Sequence, residues 1–170
     1  MRISATWRRT GAVLLAALAL GCTTSPAPEP TPSSATRILF VGNSFIFGSP
    51  AGAAPLVQSY RPHTVTDLNG TNIGGVPALF KAMTVQAGLN YEVSLETMGG
   101  AGLDAHYHQK LATIAKPFGV VLLQSYSTLD AATPGDPGLL IKYTGLLAQE
   151  FRARNPQVDI RLVSTWSRAD

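Results

Sequence analysis

The chain has 170 residues, 45% of them hydrophobic and 14% charged, with 13 Lys and Arg against 10 Asp and Glu. That is one domain's worth of sequence with enough apolar side chain for a core, which excludes a wholly disordered or collagen-like chain. Three of the cations, Arg2, Arg8 and Arg9, fall at the very start, and without them cations and acids are equal in number, so nothing calls for a nucleic-acid partner or an anionic surface.

The amino-terminal segment has the layout of a secretory signal. Residues 1–10 carry those three arginines and no acid, residues 11–20 are apolar, and Gly21-Cys22 closes the stretch. An apolar run this short does not span a bilayer. Leu18-Ala19-Leu20-Gly21-Cys22 resembles the lipobox of bacterial lipoproteins, although Ala19 stands where Leu is usual. That resemblance implies that Cys22 is lipidated and becomes the first residue after cleavage; a plain signal peptide cut nearby is the alternative. Cys22 is the sole cysteine, so an intrachain disulfide is excluded. Residues 23–36, rich in Pro, Ser and Thr, favour extended, solvated chain and read as a tether. The expected organisation is a signal peptide over 1–22, a linker over 23–36 and one domain over 37–170. The expected location is the bacterial envelope, through a membrane anchor at Cys22, or a secreted or periplasmic one without it.

The domain is organised around residues 37–48, RILFVGNSFIFG. Ile38, Leu39, Phe40 and Val41 are too few for a helix, and unbroken apolarity suits a strand covered on both faces. Gly42 permits a sharp turn, and Ser44 would then stand at the strand's carboxyl edge, where open α/β sheets bind ligands. A nucleophile belongs there, although turn and capping roles are open to the same residues.

Residues 49–75 form a long Gly-, Pro- and Asn-rich connection with one possible strand at 64–68, placed to wall a site beside Ser44. Asn69-Gly70-Thr71 reads as a turn and His63 as a solvated loop histidine. The spacing of Val76, Leu79, Phe80, Met83 and Ala87 predicts a helix over 76–87, with Met83 and Phe80 in the core and Gly88 closing it. Tyr91, Val93 and Leu95 alternate into a second strand, which stops at Met98-Gly99-Gly100. Gly99, Gly100 and Gly102 allow close backbone approach to a developing oxyanion, or make an ordinary strand-to-helix turn. From Leu103 a helix places Leu103, Tyr107, Leu111 and Ile114 on one face, with Asp104, His106 and Lys110 elsewhere. His106 and His108 stand two apart and so on different faces, which argues against a metal pair.

Residues 119–123 predict a third buried strand ending at Gln124, whose amide could donate to the same oxyanion. Leu139, Leu140, Tyr143, Leu146, Leu147 and Phe151 form a helical stripe ended by Asn155-Pro156, and Val158, Ile160, Leu162 and Val163 a fourth strand. Strands alternating with helices imply a parallel sheet, with the polar strand ends on one edge.

Residues 38–45, ILFVGNSF, resemble the first block of the SGNH hydrolases, the GDSL-like esterase and lipase superfamily, with Gly-Asn-Ser replacing Gly-Asp-Ser. Gly99-Gly100 and Gln124 fall near that family's second and third blocks, with Gln124 standing for the usual Asn. Residues 164–168, STWSR, resemble a segment after the fourth strand in one secreted branch. The resemblance implies a flavodoxin-like α/β three-layer sandwich, of which about four strands are present here. It implies Ser44 as nucleophile and an oxyanion hole made by the N–H groups of Ser44 and Gly100 and the amide of Gln124, with Gly102 the rival glycine. The family's Asp-x-x-His block, which supplies the base, has no counterpart in this sequence.

Two readings follow. The first is an esterase hydrolysing acyl or acetyl esters at the envelope, acetylated carbohydrate among them, from a record that stops short of its base. The second is a lipid-tethered module, or inactive fragment, that holds a small ligand or carbohydrate without turnover. No nucleotide-binding glycine pattern and no convincing metal cluster are present, so no cofactor is expected.

Overall fold

The computed structural model describes residues 34–48 and 57–165, so Cys22, the leader, the tether up to residue 33, residues 49–56 and the segment from Trp166 onward lie outside the described residues. The apolar run forms the central strand β1 (Thr36–Gly42). Its side chains divide between two cores. Ile38 and Phe40 pack with Ile46, Ile73, Val93 and Leu95, whereas Leu39 and Val41 pack with Leu103, Leu123, Leu147 and Phe151. A strand covered on both faces has no position for a polar side chain, hence the unbroken run.

Four further strands, β2 (Thr66–Asp67), β3 (Tyr91–Thr97), β4 (Val120–Leu123) and β5 (Asp159–Leu162), complete a parallel sheet in the order β2-β3-β1-β4-β5. On one face lie α1 (Ser44–Phe47) and α2 (Gly75–Gln86), and on the other α3 (Leu103–Ile114) and α4 (Gly138–Arg154). Apart from the two-residue β2 at one edge, the strand order is that of a flavodoxin-like doubly wound fold, the expected three-layer sandwich. The fifth strand is the one the sequence placed only as possible, within 64–68. Among the described residues no helix is long and apolar enough to cross a membrane.

Register positions the site. Gly42 pairs with Thr97 of β3, and Val41 with Leu123 of β4, so the three strands end level. The segments that leave them, from Asn43, Met98 and Gln124, therefore share one edge.

Two helical faces differ from expectation. In α2 the buried residues are Gly75, Pro77, Ala78 and Thr84, Phe80 is partly buried against the core, and Met83 is 65% exposed instead of in the core. Thr84 can be buried because its hydroxyl donates to the carbonyls of Phe80 and Lys81, a bond its own helix supplies. Gly88 closes the helix as expected: its left-handed φ of +70°, two residues past Gln86, allows a paired cap in which Gly88 N–H donates to Val85 O and Leu89 N–H to Thr84 O. In α3, His106 is fully buried instead of lying off the apolar face. Three residues advance a helix by about 300°, which leaves His106 only about 60° from Leu103.

Candidate active site

Asn43 builds the site. It caps α1 by accepting the Phe45 N–H on its side-chain oxygen at 3.2 Å, while its Nδ2 donates to Ala101 O at 2.8 Å and Ser125 O at 3.2 Å. The two carbonyls require the amide nitrogen on that side, and the Phe45 N–H requires the oxygen on the other, so the amide's orientation is fixed by its partners. One buried side chain thus binds together the segments leaving β1, β3 and β4. A carboxylate, the usual residue in Gly-Asp-Ser, would have no hydrogen to give to either carbonyl.

The turn before it is equally constrained. A Cβ on Gly42 would lie 2.5 Å from Ile46 Cγ1 and 2.7 Å from Gln124 Oε1, so only glycine fits between them. Ser44 follows as the first residue of α1 and is partly exposed. Among the described residues neither its N–H nor its hydroxyl has a hydrogen-bond partner.

The second segment is stapled to the first. Met98 N–H donates to Gly42 O at 3.0 Å, Ala101 N–H to Met98 O at 3.2 Å, and Ala101 O receives Asn43. Between these bonds Gly99 and Gly100 are exposed, Gly100 has a left-handed φ of +70°, and the N–H of each is unengaged among the described residues. Gly102, the rival for the oxyanion role, is buried, and a Cβ on it would stand 2.1 Å from Tyr126 Cε2. Its N–H bonds to the Tyr126 hydroxyl, which also meets the Asp104 carboxylate. Burial first, and the Asp104 charge second, push that phenol above its ordinary value against the opposing pull of Gly102 N–H. Of the two glycines, Gly100 therefore keeps the open N–H.

Gln124 is 1% exposed, and its amide faces inward. Its oxygen accepts the Asn43 N–H at 2.9 Å and its nitrogen donates to Ser125 O, so the structure places it under the Ser44 turn. Ser125 Oγ in turn accepts the first N–H of α3, from Leu103, at 3.3 Å. Beside Ser125, at the ends of β4 and β5, lies a cavity of about 370 Å³ floored by Leu123, Leu140 and Leu162 and rimmed by Tyr126, Ser127 and Ser164.

Among the described residues none of the three histidines is hydrogen-bonded to Ser44. His63 is exposed in the turn Pro62–Thr64, His108 Nε2 is 2.9 Å from the Tyr143 hydroxyl, and His106 Nδ1 is 2.5 Å from Glu96 Oε2. Among the described residues no group of His, Cys, Asp and Glu could hold a metal ion. Glu96, Tyr126 and the side-chain role of Asn43 were not singled out by the sequence; only the charged Glu96 closing a strand that ends beside Ser44 gave any signal.

The fold and site thus define an α/β protein whose parallel sheet presents at its carboxyl edge a serine whose hydroxyl and N–H, among the described residues, are without a hydrogen-bond partner, beside a glycine loop whose N–H groups are likewise unengaged there. No family model matches the chain, and no curated protein matches its sequence. Among solved structures it is similar to a proposed SGNH hydrolase from Slackia heliotrinireducens, with a TM-score of 0.47 and 18% identity over 78% of this chain and 57% of that one. It is also similar to a family two carbohydrate esterase from Clostridium thermocellum solved with cellohexaose, with a TM-score of 0.47 and 13% identity over 82% of this chain and 45% of that one. The chain spans about half the length of either protein.

Proposed function

We propose that the chain carries the nucleophile and oxyanion loop of a serine hydrolase acting on carboxylic esters. The observation that carries this is the placement of the Ser44 hydroxyl and N–H on the same sheet edge as the Gly100 N–H, all three unengaged among the described residues. Ser44 Oγ attacks the ester carbonyl carbon and gives up its proton; the tetrahedral oxyanion is met by the N–H groups of Ser44 and Gly100; the alcohol leaves with a proton, and water then releases the acid from the Ser44 ester. The substrates in this proposal are acyl or acetyl esters at the cell envelope, acetylated carbohydrate among them, reached by a domain held on a lipid at Cys22.

The transfer of the Ser44 proton needs a base, and among the described residues no His, Asp or Glu is hydrogen-bonded to Ser44. That observation favours a second reading, a tethered module that holds a small ligand or glycan at this edge without turnover. Hydrolysis of p-nitrophenyl acetate by the chain, beside Ser44→Ala and after circular dichroism establishes folding, separates the two. Turnover that disappears in Ser44→Ala is the expected result. A folded protein without Ser44-dependent turnover refutes the esterase for this chain and leaves the binding module.

A further inference from the structure

Glu96 and His106 are both fully buried, with His106 Nδ1 2.5 Å from Glu96 Oε2. The other carboxylate oxygen, Oε1, accepts Asn69 Nδ2 at 3.1 Å; that nitrogen also donates to Thr97 O at 2.9 Å, and Asn69 Oδ1 accepts Lys110 Nζ at 2.8 Å. The chain of bonds runs from a partly exposed lysine, through the turn after β2, to an imidazole under the first turn of α3. With the carboxylate as acceptor, His106 gives it the Nδ1–H, and its buried Nε2 has no partner among the described residues.

A role in stability alone does not account for this arrangement. Buried carboxylate–imidazole pairs bear a desolvation cost that apolar side chains of similar volume avoid, and an orphaned Nε2 adds to it. The position of the pair does account for it. Glu96 stands two residues before Met98 at the end of β3, and His106 stands four residues after Gly102, its own N–H returning to Gly102 O at 3.4 Å. The Glu96–His106 bond therefore joins the two feet of the loop 98–102, while Asn43 holds that loop's crown at Ala101.

We infer that Glu96 and His106 are a positioning pair that sets the geometry of the loop 98–102 and so the direction of the Gly100 N–H. Neither touches the reacting atoms. The inference rests on the ester-hydrolase reading for its purpose but not for its physical content, so its test reads the loop as well as the reaction.

The reporter is the Ala101 amide, which bonds to Met98 O across the loop. Hydrogen exchange by NMR is compared among the wild type, Glu96→Ala, Glu96→Gln and Leu147→Ala, the last a cavity in α4 that lowers global stability and leaves the Glu96–His106 bond and the loop's own hydrogen bonds in place. In Glu96→Ala the Ala101 amide is expected to exchange at least about tenfold faster. In Glu96→Gln, whose amide oxygen can still accept from His106, the rate returns to within about threefold of wild type. In Leu147→Ala the local rate does not rise beyond what the lower global stability imposes. On p-nitrophenyl acetate, Glu96→Ala lowers kcat about 10- to 100-fold with KM nearly unchanged, because an oxyanion donor acts in the transition state. If Glu96→Ala does not fold, Glu96→Asp, which withdraws the carboxylate from His106 by one methylene, is expected to give the same exchange response. An unchanged Ala101 amide in either folded variant, or an equal local response in Leu147→Ala, overturns the inference. An exchange response in a protein without Ser44-dependent turnover refutes the ester reading and supports the positioning pair.

Discussion

Replacing Asn43 with aspartate would restore the usual Gly-Asp-Ser of the family that the first block resembles, yet here it should damage the protein, and by an amount that depends on pH. Asn43 is 4% exposed and its Nδ2 serves two carbonyls, Ala101 O at 2.8 Å and Ser125 O at 3.2 Å. In the Asn43→Asp variant the ionised carboxylate donates to neither and faces both with negative charge. Ala101 O is left unsatisfied at about 1–3 kcal/mol, and Ser125 O, which keeps the Gln124 side-chain nitrogen, loses one bond worth about 0.5–1.5 kcal/mol, so the loss is about 1.5–4.5 kcal/mol. The protonated carboxyl has one O–H and can serve one of the two carbonyls, so its loss is about half as large.

The pH dependence follows from the same contacts. Burial and the two carbonyls raise the folded-state pKa of the introduced carboxyl above its unfolded value of about 3.9. A raised pKa contributes stability that is present below the unfolded value and is lost as pH rises through the folded one. The deficit of Asn43→Asp against wild type should therefore be smallest near about pH 4 and grow toward neutrality, by at most about 1.4 kcal/mol per pH unit. Asn43→Ala, which has no proton to lose, should show a deficit that does not change with pH. Urea unfolding followed by circular dichroism at several pH values measures all three. An Asn43→Asp variant as stable as wild type, or one whose deficit is flat with pH, would refute the claim that the two amide hydrogens hold the three segments together.

Ser44→Ala should leave stability within about 0.5 kcal/mol, since the hydroxyl has no partner among the described residues, and should abolish p-nitrophenyl acetate hydrolysis; a shift in the urea midpoint would show a structural role instead. Gly42→Ala puts a methyl group 2.5 Å from Ile46 Cγ1 and 2.7 Å from Gln124 Oε1, so it should cost about 1–3 kcal/mol in the same unfolding assay. Asp67 is raised by burial, but the Thr71 hydroxyl and the N–H groups of Ile73, Asn69 and Thr71 outweigh this and hold it below the ordinary carboxylate value. Its contribution is therefore present above the unfolded pKa and lost as pH falls through the folded one, so the stability gap between wild type and Asp67→Ala should narrow on acidification below about pH 4. In a spectrophotometric titration, the phenol of Tyr126 should ionise above the ordinary value, and Asp104→Asn should bring it down, because the Asp104 charge is the second cause of its rise after burial.

What could be read in advance follows a physical division. β1, α3, α4 and the parallel order come from apolar periodicity and length, which act within a few residues, and these were legible. Ser44 was legible for a related reason: an apolar strand that stops at Gly-x-Ser states both where the chain turns and what it presents there. Glu96 was not, because the alternation of Tyr91, Val93 and Leu95 implies an open opposite face for Glu92, Ser94 and Glu96. In the fold α3 covers the end of that face, and His106 and Asn69 meet the carboxylate there. Position at a strand end also marked Gln124 as a donor, but position does not say which way an amide turns. The Asn43 N–H and the Ser125 carbonyl capture it, and both belong to partners whose distance from Gln124 along the chain says nothing of their distance in space.

That difference between Ser44 and its surroundings bears on how the site could have come to carry asparagine. The serine needs only to be placed, and a strand and a turn place it. The glycine loop must be held against segments from two other strands, and the bonds that hold it run between side-chain amides and carbonyls that no local pattern couples. At position 43 the demand is for hydrogen, since both facing groups are acceptors, and asparagine is the residue of that size with two to give. The first block's departure from Gly-Asp-Ser is then a consequence of what the segments after β3 and β4 present to it. A carbonyl turned away at Ala101 or Ser125 would remove the reason for it.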